Sequence, residues 1–232
     1  EPMYVPREGF EWSGSTTVDS MEKFMSGGGY GGCEDPRLTL IDNTFYLMYV
    51  AYDGMNPPRV AMSSIPEEDF HAQNWYAWAK PVIISQPGIV DKNACLLPEK
   101  INDKYVIFHR IFPHILIDFV DDLDFDGTKY LQGEHKISPT DFGWDSRKVG
   151  AGPPPMKTEE GWLLIYHAVD DKNDSQYKMG AMLLDLQDPT KVLYRTQKPI
   201  LAPTEWYENH GFKAGVAYPC GAVIKDDTLF VY

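Results

Sequence analysis

The feature that most constrains the fold is a repeat of roughly sixty residues that recurs along the chain. Each copy starts near a proline, at position 36, 98, 155 or 219, and continues with a polar turn and an aromatic-rich strand. The turns fall at residues 42–43, 102–103, 159–161 and 226–227, and the strands after them span 45–50, 105–108, 162–166 and 229–232. So regular a period predicts repeated supersecondary units.

Two more strands complete each of the first three copies. The third strand spans 59–62, 115–119 or 178–184, and a shorter closing strand spans 81–84, 135–137 or 199–201. Four antiparallel strands in a fixed repeat are typical of β-propeller blades, so we predict an all-β chain folded as a β-propeller. A β-sandwich ranks well below it, because a sandwich shows alternation without this period. Helical periodicity is limited to one turn at 21–25.

The domain prediction follows from the same repeat. We expect one propeller domain over residues 1–232. The fourth copy stops at Tyr232, inside its second strand. A propeller closes on itself to protect the edges of its sheets. We therefore expect that this segment is incomplete at one or both ends and lacks part of the closing blade, or that it closes with an unusual N-terminal strand.

Composition and charge exclude several classes of partner. The net charge of -13 argues against nucleic acid, because neutralising phosphates needs a basic face. No apolar run is long enough to span a membrane. Cys33, Cys95 and Cys220 form neither a disulfide framework nor a metal site, so we expect free thiols in a reducing, cytoplasmic compartment. The chain does not begin with Met, so the absence of a signal sequence says little about compartment, and a periplasmic location remains an alternative. A homo-oligomer also remains possible as a partner.

The stretch from Gly31 to Arg37, GGCEDPR, places two adjacent carboxylates before a proline. Glycines let a backbone pass close to a ligand, and Pro36 biases Asp35 towards an extended conformation. One interpretation is an Asp-Pro turn in which Arg37 pairs with Glu34. The other is an acid held rigidly at the entrance of a strand, where a ligand binds.

Corresponding positions of the repeats carry an unusual set of cations for an acidic chain. Residues before the later prolines and at the ends of the aromatic strands include Lys92, Asn93, Lys148, Asp53, His109, Arg110 and His167. Taken singly, Arg110 could pair with Asp118 or Asp121, His167 could be a hydrogen-bonded core histidine, and the lysines could be solvated. Together and in register, they predict an anion site beside an acid, and phosphate with a polyhydroxyl sugar fits best.

Several motifs resemble glycoside hydrolase family 130. They are GCEDPR (32–37), KNA (92–94), PEKI (98–101), HR (109–110), KVGAGPPP (148–155), GWLLIYH (161–167), YKMGA (177–181) and YPCG (218–221). The resemblance implies a five-bladed propeller and inverting phosphorolysis of β-mannosides, with a minority of family members acting as mannosidases. It implies Asp35 as the acid, passing its proton through a sugar hydroxyl to the glycosidic oxygen while phosphate attacks the anomeric carbon from the opposite face.

The resemblance also assigns the remaining site residues. Phosphate binding maps onto Lys92, Arg110, Lys148, His167 and Tyr177, where Lys92 stands in place of the arginine that the family pattern leads us to expect. Lysine keeps the charge but loses the bidentate fork. We assign sugar binding to Glu34, Arg37, Asp53 and Asn93. No cofactor or metal is expected, and inorganic phosphate is the co-substrate of a β-mannoside disaccharide or oligosaccharide.

Three alternatives remain open at this point. A β-mannosidase of the same family needs a carboxylate base to activate water. Propeller arabinofuranosidases and fructosidases need acids on successive blades, where this chain has Lys92-Asn93 and Lys148. A non-catalytic sugar-binding propeller explains Tyr30, Tyr49, Tyr52 and Trp144 as stacking platforms but not the basic cluster. The stretch 112–126 differs from the corresponding sequence associated with β-1,4 enzymes, which slightly favours a β-1,2 linkage in the substrate.

Overall fold

The computed structural model describes residues 2–12, 31–211 and 213–232. The helical turn predicted at 21–25, and Tyr30, lie outside these ranges. Within them, none of the helices has the length and apolar character that crossing a membrane requires. Cys33, Cys95 and Cys220 are free thiols, as predicted.

Antiparallel sheets follow one another along the chain, and the first two are four-stranded meanders. The first sheet consists, in spatial order, of β1 (Gly32–Ile41), β2 (Thr44–Tyr52), β3 (Arg59–Pro66) and β4 (Val82–Ile83). The second consists of β5 (Lys92–Leu96), β6 (Tyr105–Ile111), β7 (His114–Val120) and β8 (His135–Ile137). Each sheet therefore corresponds to one copy of the sequence repeat.

The third sheet has five strands because its inner edge is divided. β9 (Lys148–Ala151) and β10 (Met156–Lys157) both pair with β11 (Trp162–Val169). The sheet continues through β12 (Lys178–Leu184) to β13 (Val192–Arg195). A hairpin of β14 (Ala222–Lys225) and β15 (Thr228–Val231) follows. Among the described residues the only α-helix is α1 (Glu67–His71), and 3-10 turns occur at Trp75–Ala77 and Trp206–Glu208.

The inner strands β1, β5 and β9 contact one another in series, which is the arrangement of propeller blades around an axis. The tight turns that join the first two strands of a blade lie where the sequence predicts them. Asp42-Asn43, Asn102-Asp103 and Asp226-Asp227 all have positive φ, between 49° and 64°. Two-residue hairpin loops of this kind need positive φ at both positions, and Asn and Asp tolerate it. The predicted β-propeller repeat is confirmed.

Two details of the predicted repeat are wrong. The third blade closes with β13 at Val192–Arg195, whereas Leu201 of the predicted strand 199–201 makes only an isolated bridge to Met179. The repeat prolines also do not occupy equivalent positions in the blades, because ladder pairing aligns Pro36 with Ala94 and not with Pro98. In β1 the pairing shifts between Glu34 and Arg37, and in β5 it shifts between Lys92 and Cys95. Prolines mark each copy, but backbone pairing sets the alignment.

Alternate residues of each strand pack against the two neighbouring blades, as a period of two requires. On β6, Phe108 belongs to the core shared with Trp162 of the third blade, whereas Ile107 belongs to the core shared with Met48 of the first. All four side chains are fully buried. Each such side chain contributes about 1.5–3 kcal/mol relative to exposure, so the cores between blades hold the inner strands in place.

The N-terminal segment is attached to the first blade through a buried carboxylate. Glu11 has 0% exposure. It accepts hydrogen bonds from the hydroxyls of Tyr49 at 2.5 Å and Tyr4 at 3.1 Å. Its Oε1 also lies 3.4 Å from the thiol of Cys33. The segment therefore supports β1 immediately before Glu34 and Asp35.

A buried charged triad joins the strands of the second blade. His109 is fully buried, with Nδ1 2.7 Å from Asp91 and Nε2 2.9 Å from Asp118. Burial alone lowers the pKa of His109, but the two carboxylates outweigh it and raise the pKa to about 9. An imidazolium can donate to both carboxylates at once, whereas a neutral imidazole has one N–H. The triad lies directly next to Lys92 and Arg110 in sequence.

We predict that this triad makes the protein less stable at alkaline pH. Unfolding returns the pKa of His109 from about 9 to about 6.5. The stabilisation is therefore complete below about pH 6.5 and is lost as the pH rises through about 9. At about 1.4 kcal/mol per pKa unit, it amounts to about 3 kcal/mol. Denaturant unfolding of wild type and His109→Gln at pH 6 and pH 10 measures it; equal losses in both proteins contradict the prediction.

Candidate active site

A cavity of about 300 Å³ opens where the inner strands converge. Its lining contains most of the residues predicted for the site: Asp35, Lys92, Asn93, Arg110, Lys148, His167 and Tyr177. It also contains residues that were not assigned to the site from the sequence: Val90, Lys213, Val216 and Tyr218. Side chains from all four copies of the repeat therefore meet in one cavity.

Asp35 and Asn93 occupy the same irregularity in successive blades. Each lies at the shift in ladder register of its inner strand, and each has positive φ, 52° for Asp35 and 57° for Asn93. The prediction that Pro36 makes Asp35 extended is wrong, because the bulge demands the left-handed conformation, which Asp and Asn tolerate. Lys148 enters differently, opposite Val169 in a ladder without a shift.

Tyr218 connects the acid to the other blades. Its hydroxyl donates to Oδ2 of Asp35 at 2.8 Å. The phenolic oxygen of Tyr218 in turn accepts from Nδ2 of Asn93 at 2.5 Å and from Nη2 of Arg37 at 3.3 Å. Its ring packs on His167 with 4.3 Å between centroids. One carboxylate oxygen of Asp35 is thus hydrogen-bonded by a partly buried phenol.

Lys148 and Lys213 flank the ring of Tyr177. Nζ of Lys148 donates to the Tyr177 hydroxyl at 2.5 Å and lies 4.5 Å from the ring centroid, while Nζ of Lys213 lies 5.0 Å from it. Burial, and then repulsion from Arg110 and Lys213, lower the pKa of Lys148. Although burial raises the pKa of Tyr177, these cations lower it overall. The positive charges are therefore close enough to disfavour one another.

His167 is a neutral imidazole at the centre of this charge. It is 1% exposed. Burial, followed by the charges of Arg110, Arg37, Lys148 and Lys213, lowers its pKa well below the usual range. Neither ring nitrogen has a hydrogen-bond partner among the described protein atoms, so His167 is not a hydrogen-bonded core histidine. The ring brings one N–H donor to the cavity.

Gly150 makes room for this arrangement. A Cβ at position 150 would lie 2.5 Å from Nε2 of His167 and 2.7 Å from Oδ1 of Asn93. Gly150 pairs with His167 across β9 and β11. Any side chain at position 150 would therefore push His167 or Asn93 out of position.

Arg110 and Lys92 face each other across β5 and β6. The alternative partners of Arg110 are engaged elsewhere, since Asp118 contacts His109 and Asp121 pairs with Lys104. Nε of Arg110 is buried without a partner among the described atoms. Lys92 lies 3.6 Å from Glu34, and burial lowers its pKa. The guanidinium of Arg110 is therefore available to a ligand in the cavity.

Three residues assigned to sugar binding lie outside the cavity lining. Arg37 is buried beneath it, where its guanidinium donates to the backbone carbonyls of Asp35 and Gly152. Asp53 accepts from the backbone N–H groups of Met55 and Asn56 in a loop. Glu34 pairs with Lys92, and not with Arg37 as the turn interpretation proposed. Their part in sugar binding stays a prediction.

The aromatic residues considered as sugar platforms face the interior. Tyr49 and Tyr52 are 1% and 2% exposed. Trp144 packs on Tyr166 with 5.3 Å between ring centroids. None of the three lines the cavity. The structure therefore offers no support for a stacking surface built from them.

The two polar residues that sequence reasoning missed arrive through tertiary contacts. Tyr218 lies in the fourth copy, in the YPCG motif. That motif indicated the family but did not indicate a role for Tyr218 in the site. Lys213 lies in the connection before that motif, outside any repeat position. It joins the cavity because the adjoining Gly215 and Val216 pair with Tyr177. The spacing of residues along the chain does not predict this pairing.

Among the described residues that line the cavity, Asp35 is the one carboxylate, and cations from several copies of the repeat surround it. The fold and this lining define a propeller protein with a cationic cavity. A family model described as beta-1,4-mannooligosaccharide phosphorylase matches residues 23–232. The chain belongs to this family, glycoside hydrolase family 130, as its motifs predicted. Its fold is accordingly that of the family's five-bladed β-propellers.

Individual relatives agree with the family assignment. The chain is 41% identical over 204 residues to a 1,2-beta-oligomannan phosphorylase and 40% identical over 201 residues to a beta-1,2-mannobiose phosphorylase, both from Thermoanaerobacter sp. (strain X514). Each alignment covers 87% of this chain, and 64% and 62% of the relatives. A solved beta-1,2-mannobiose phosphorylase from Listeria innocua superposes with a TM-score of 0.74 at 31% identity, covering 100% of this chain and 58% of that one. The chain thus spans less than two thirds of the length of these relatives.

Proposed function

We propose that the protein catalyses inverting phosphorolysis of β-mannosides, transferring a mannosyl group to inorganic phosphate to give mannose 1-phosphate. The observation that carries the proposal is the grouping of Lys92, Arg110, Lys148 and Lys213 around the neutral His167 in the cavity that holds Asp35. In a chain with net charge -13, so dense a positive cluster is accounted for by an anion that binds within it.

The charge balance supports phosphate as the nucleophile. Lys92 and Lys148 both have pKa values lowered chiefly by burial, and Arg110 adds repulsion to each. A phosphate ion between them would relieve that repulsion and accept hydrogen bonds from Arg110 and His167. Because phosphate arrives already anionic, this route needs no carboxylate to activate it.

Asp35 supplies the proton in the proposed reaction. A phosphate oxygen forms a bond to the anomeric carbon while the bond from that carbon to the glycosidic oxygen breaks. The proton leaves Asp35 and, as in the family, passes through a sugar hydroxyl to the departing oxygen. Attack on the opposite face converts the β-mannoside to α-mannose 1-phosphate. The Asp35 carboxylate that remains accepts from Tyr218 and is later reprotonated by solvent.

A β-mannosidase of the same family is the alternative. An inverting hydrolase needs a second carboxylate about 6.5–9.5 Å from the acid to activate water. Among the described residues that line the cavity, Asp35 is the one carboxylate. Hydrolysis would also need no anion beside the four surrounding cations. Phosphorolysis is therefore the better account of this cavity.

The proposed linkage is β-1,2. Both Thermoanaerobacter relatives carry a β-1,2 specificity in their names, as does the Listeria innocua structure. The sequence of residues 112–126 leans the same way. The acceptor can be mannose, glucose or N-acetylglucosamine in this proposal, since the linkage argument does not depend on it.

The test incubates the purified protein with β-1,2-mannobiose, with and without inorganic phosphate, and measures mannose 1-phosphate and free mannose separately. We expect equal amounts of mannose 1-phosphate and mannose, and cleavage that depends on phosphate. Two equivalents of mannose at a rate independent of phosphate would overturn the proposal in favour of hydrolysis. Cleavage of β-1,4-mannobiose alone would overturn the linkage but not the reaction.

A further inference from the structure

The phenol of Tyr218 is a partly buried group to which the proposed reaction gives no part before the proton leaves Asp35, although it contacts residues from three other blades. It donates to Asp35, accepts from Asn93 and packs on His167. Burial raises the pKa of Tyr218 above its usual range, so the hydroxyl keeps its proton. A protonated phenol has one hydrogen to donate, and its direction decides what it does.

The surroundings of Tyr218 leave that hydrogen one acceptor. Nδ2 of Asn93, at 2.5 Å, and Nη2 of Arg37, at 3.3 Å, are both donors, and both point at the phenolic oxygen. With those two donors on the lone pairs of the oxygen, the O–H is directed at Oδ2 of Asp35, 2.8 Å away. Oδ2 is therefore an acceptor whether Asp35 is protonated or not.

We infer that Tyr218 is a positioning residue for the acid, since its O–H bond to Oδ2 of Asp35 places the transferable proton on Oδ1 of the same carboxyl group. The inference rests on the proposed function only in needing Asp35 to protonate a leaving group. When the proton leaves Oδ1, Tyr218 stabilises the carboxylate that forms. Its donor is in place beforehand, because Arg37, Asn93 and the ring of His167 hold the phenol.

The test compares Tyr218→Phe with wild type on two substrates at saturating phosphate. β-1,2-Mannobiose has a leaving group that needs a proton, whereas 4-nitrophenyl β-mannoside releases a stable anion without one. We expect kcat to fall about 10- to 100-fold on the disaccharide, the size of one hydrogen bond to a charged group, and to change little on the aryl mannoside. Equal losses on both substrates would show a merely structural role and overturn the inference.

Tyr177→Phe is the matched control. Tyr177 is the other partly buried phenol that lines the cavity, but its hydroxyl is bonded to Lys148. Its loss is expected to change the phosphate dependence and to leave the ratio of the two substrates unchanged. A ratio that shifts as much in Tyr177→Phe as in Tyr218→Phe would overturn the inference.

A double-mutant cycle tests whether Tyr218 acts through Asp35. In an Asp35→Asn background, Tyr218→Phe is expected to cost nothing further on the disaccharide. Losses that simply multiply would overturn the inference. If Tyr218→Phe does not fold, Asn93→Asp replaces it, because aspartate tolerates the positive φ and its new carboxylate draws the Tyr218 proton away from Asp35. The same selective loss on the disaccharide is expected, and its absence overturns the inference.

The outcomes separate this inference from the proposed function. If wild type cleaves both substrates without phosphate, phosphorolysis fails, but the leaving-group comparison still tests Tyr218, because hydrolysis needs the same acid. If cleavage depends on phosphate but the losses from Tyr218→Phe and Asp35→Asn simply multiply, the inference fails and phosphorolysis stands. If wild type cleaves neither β-mannoside, both fail together.

Discussion

Replacing Asp35 with asparagine is expected to lower kcat on β-1,2-mannobiose by about 10²–10⁴-fold, the usual contribution of general acid catalysis. Asparagine keeps the size of the side chain and tolerates the φ of 52° that the bulge imposes. It still accepts a hydrogen bond from Tyr218 but has no proton to transfer. The change therefore removes the chemistry and leaves the cavity in place.

Steady-state kinetics at saturating phosphate measure this effect, and the melting temperature checks the fold. Asp121→Asn is the control, because Asp121 is exposed and forms a surface ion pair with Lys104. It is expected to retain wild-type turnover. Near wild-type turnover of Asp35→Asn on the unactivated disaccharide would mean that Asp35 is a turn residue and not the acid.

Removing the guanidinium of Arg110 is expected to raise the apparent KM for phosphate by roughly ten-fold or more, because a hydrogen bond to a charged group contributes about 1.5–3 kcal/mol. Arg110 faces the cavity opposite Lys92, with its Nε unpaired among the described atoms. The KM for the mannoside is expected to change much less, because the proposed reaction places the sugar towards Asp35. Initial rates of Arg110→Ala at varied phosphate and fixed mannoside measure both constants.

A second arginine serves as the control for Arg110. Arg147 is exposed and lies 3.9 Å from Asp171 and 3.6 Å from Asp174, outside the cavity. Arg147→Ala is expected to leave the phosphate dependence unchanged. An unchanged phosphate dependence in Arg110→Ala, or full activity without phosphate, would contradict the phosphorylase proposal and favour the mannosidase.

Much of the fold could be predicted because its signals are local. Hairpins such as β1–β2 and β5–β6 depend on two-residue turns of Asp and Asn at positive φ, which the sequence shows directly. Strands such as β12 at Lys178–Leu184 carry their apolar pattern within a few residues. The propeller then follows from recurrence, since one blade cannot bury both of its faces alone.

Other features could not be predicted because they depend on pairing between distant segments. β13 at Val192–Arg195 is largely exposed and forms because β12 offers it an unpaired edge. The left-handed conformation of Asp35 follows from the bulge in the β1–β2 ladder, which overrides the extended bias that Pro36 imposes. Neither the strand β13 nor the conformation of Asp35 can be predicted without knowing the partner strand.

The sequence by itself determined the all-β repeat, the family, and the candidate acid with most of the cations that line the cavity, because these depend on residue types at recurring positions. Only the tertiary structure decided which of those residues share a cavity. It brought Tyr218 against Asp35 and Lys213 against Tyr177, and it directed Arg37 and Asp53 to backbone groups instead. It also made His167 neutral, because burial among cations disfavours a further charge. The positions of these cations around the imidazole depend on the fold and cannot be deduced from the order of residues along the chain.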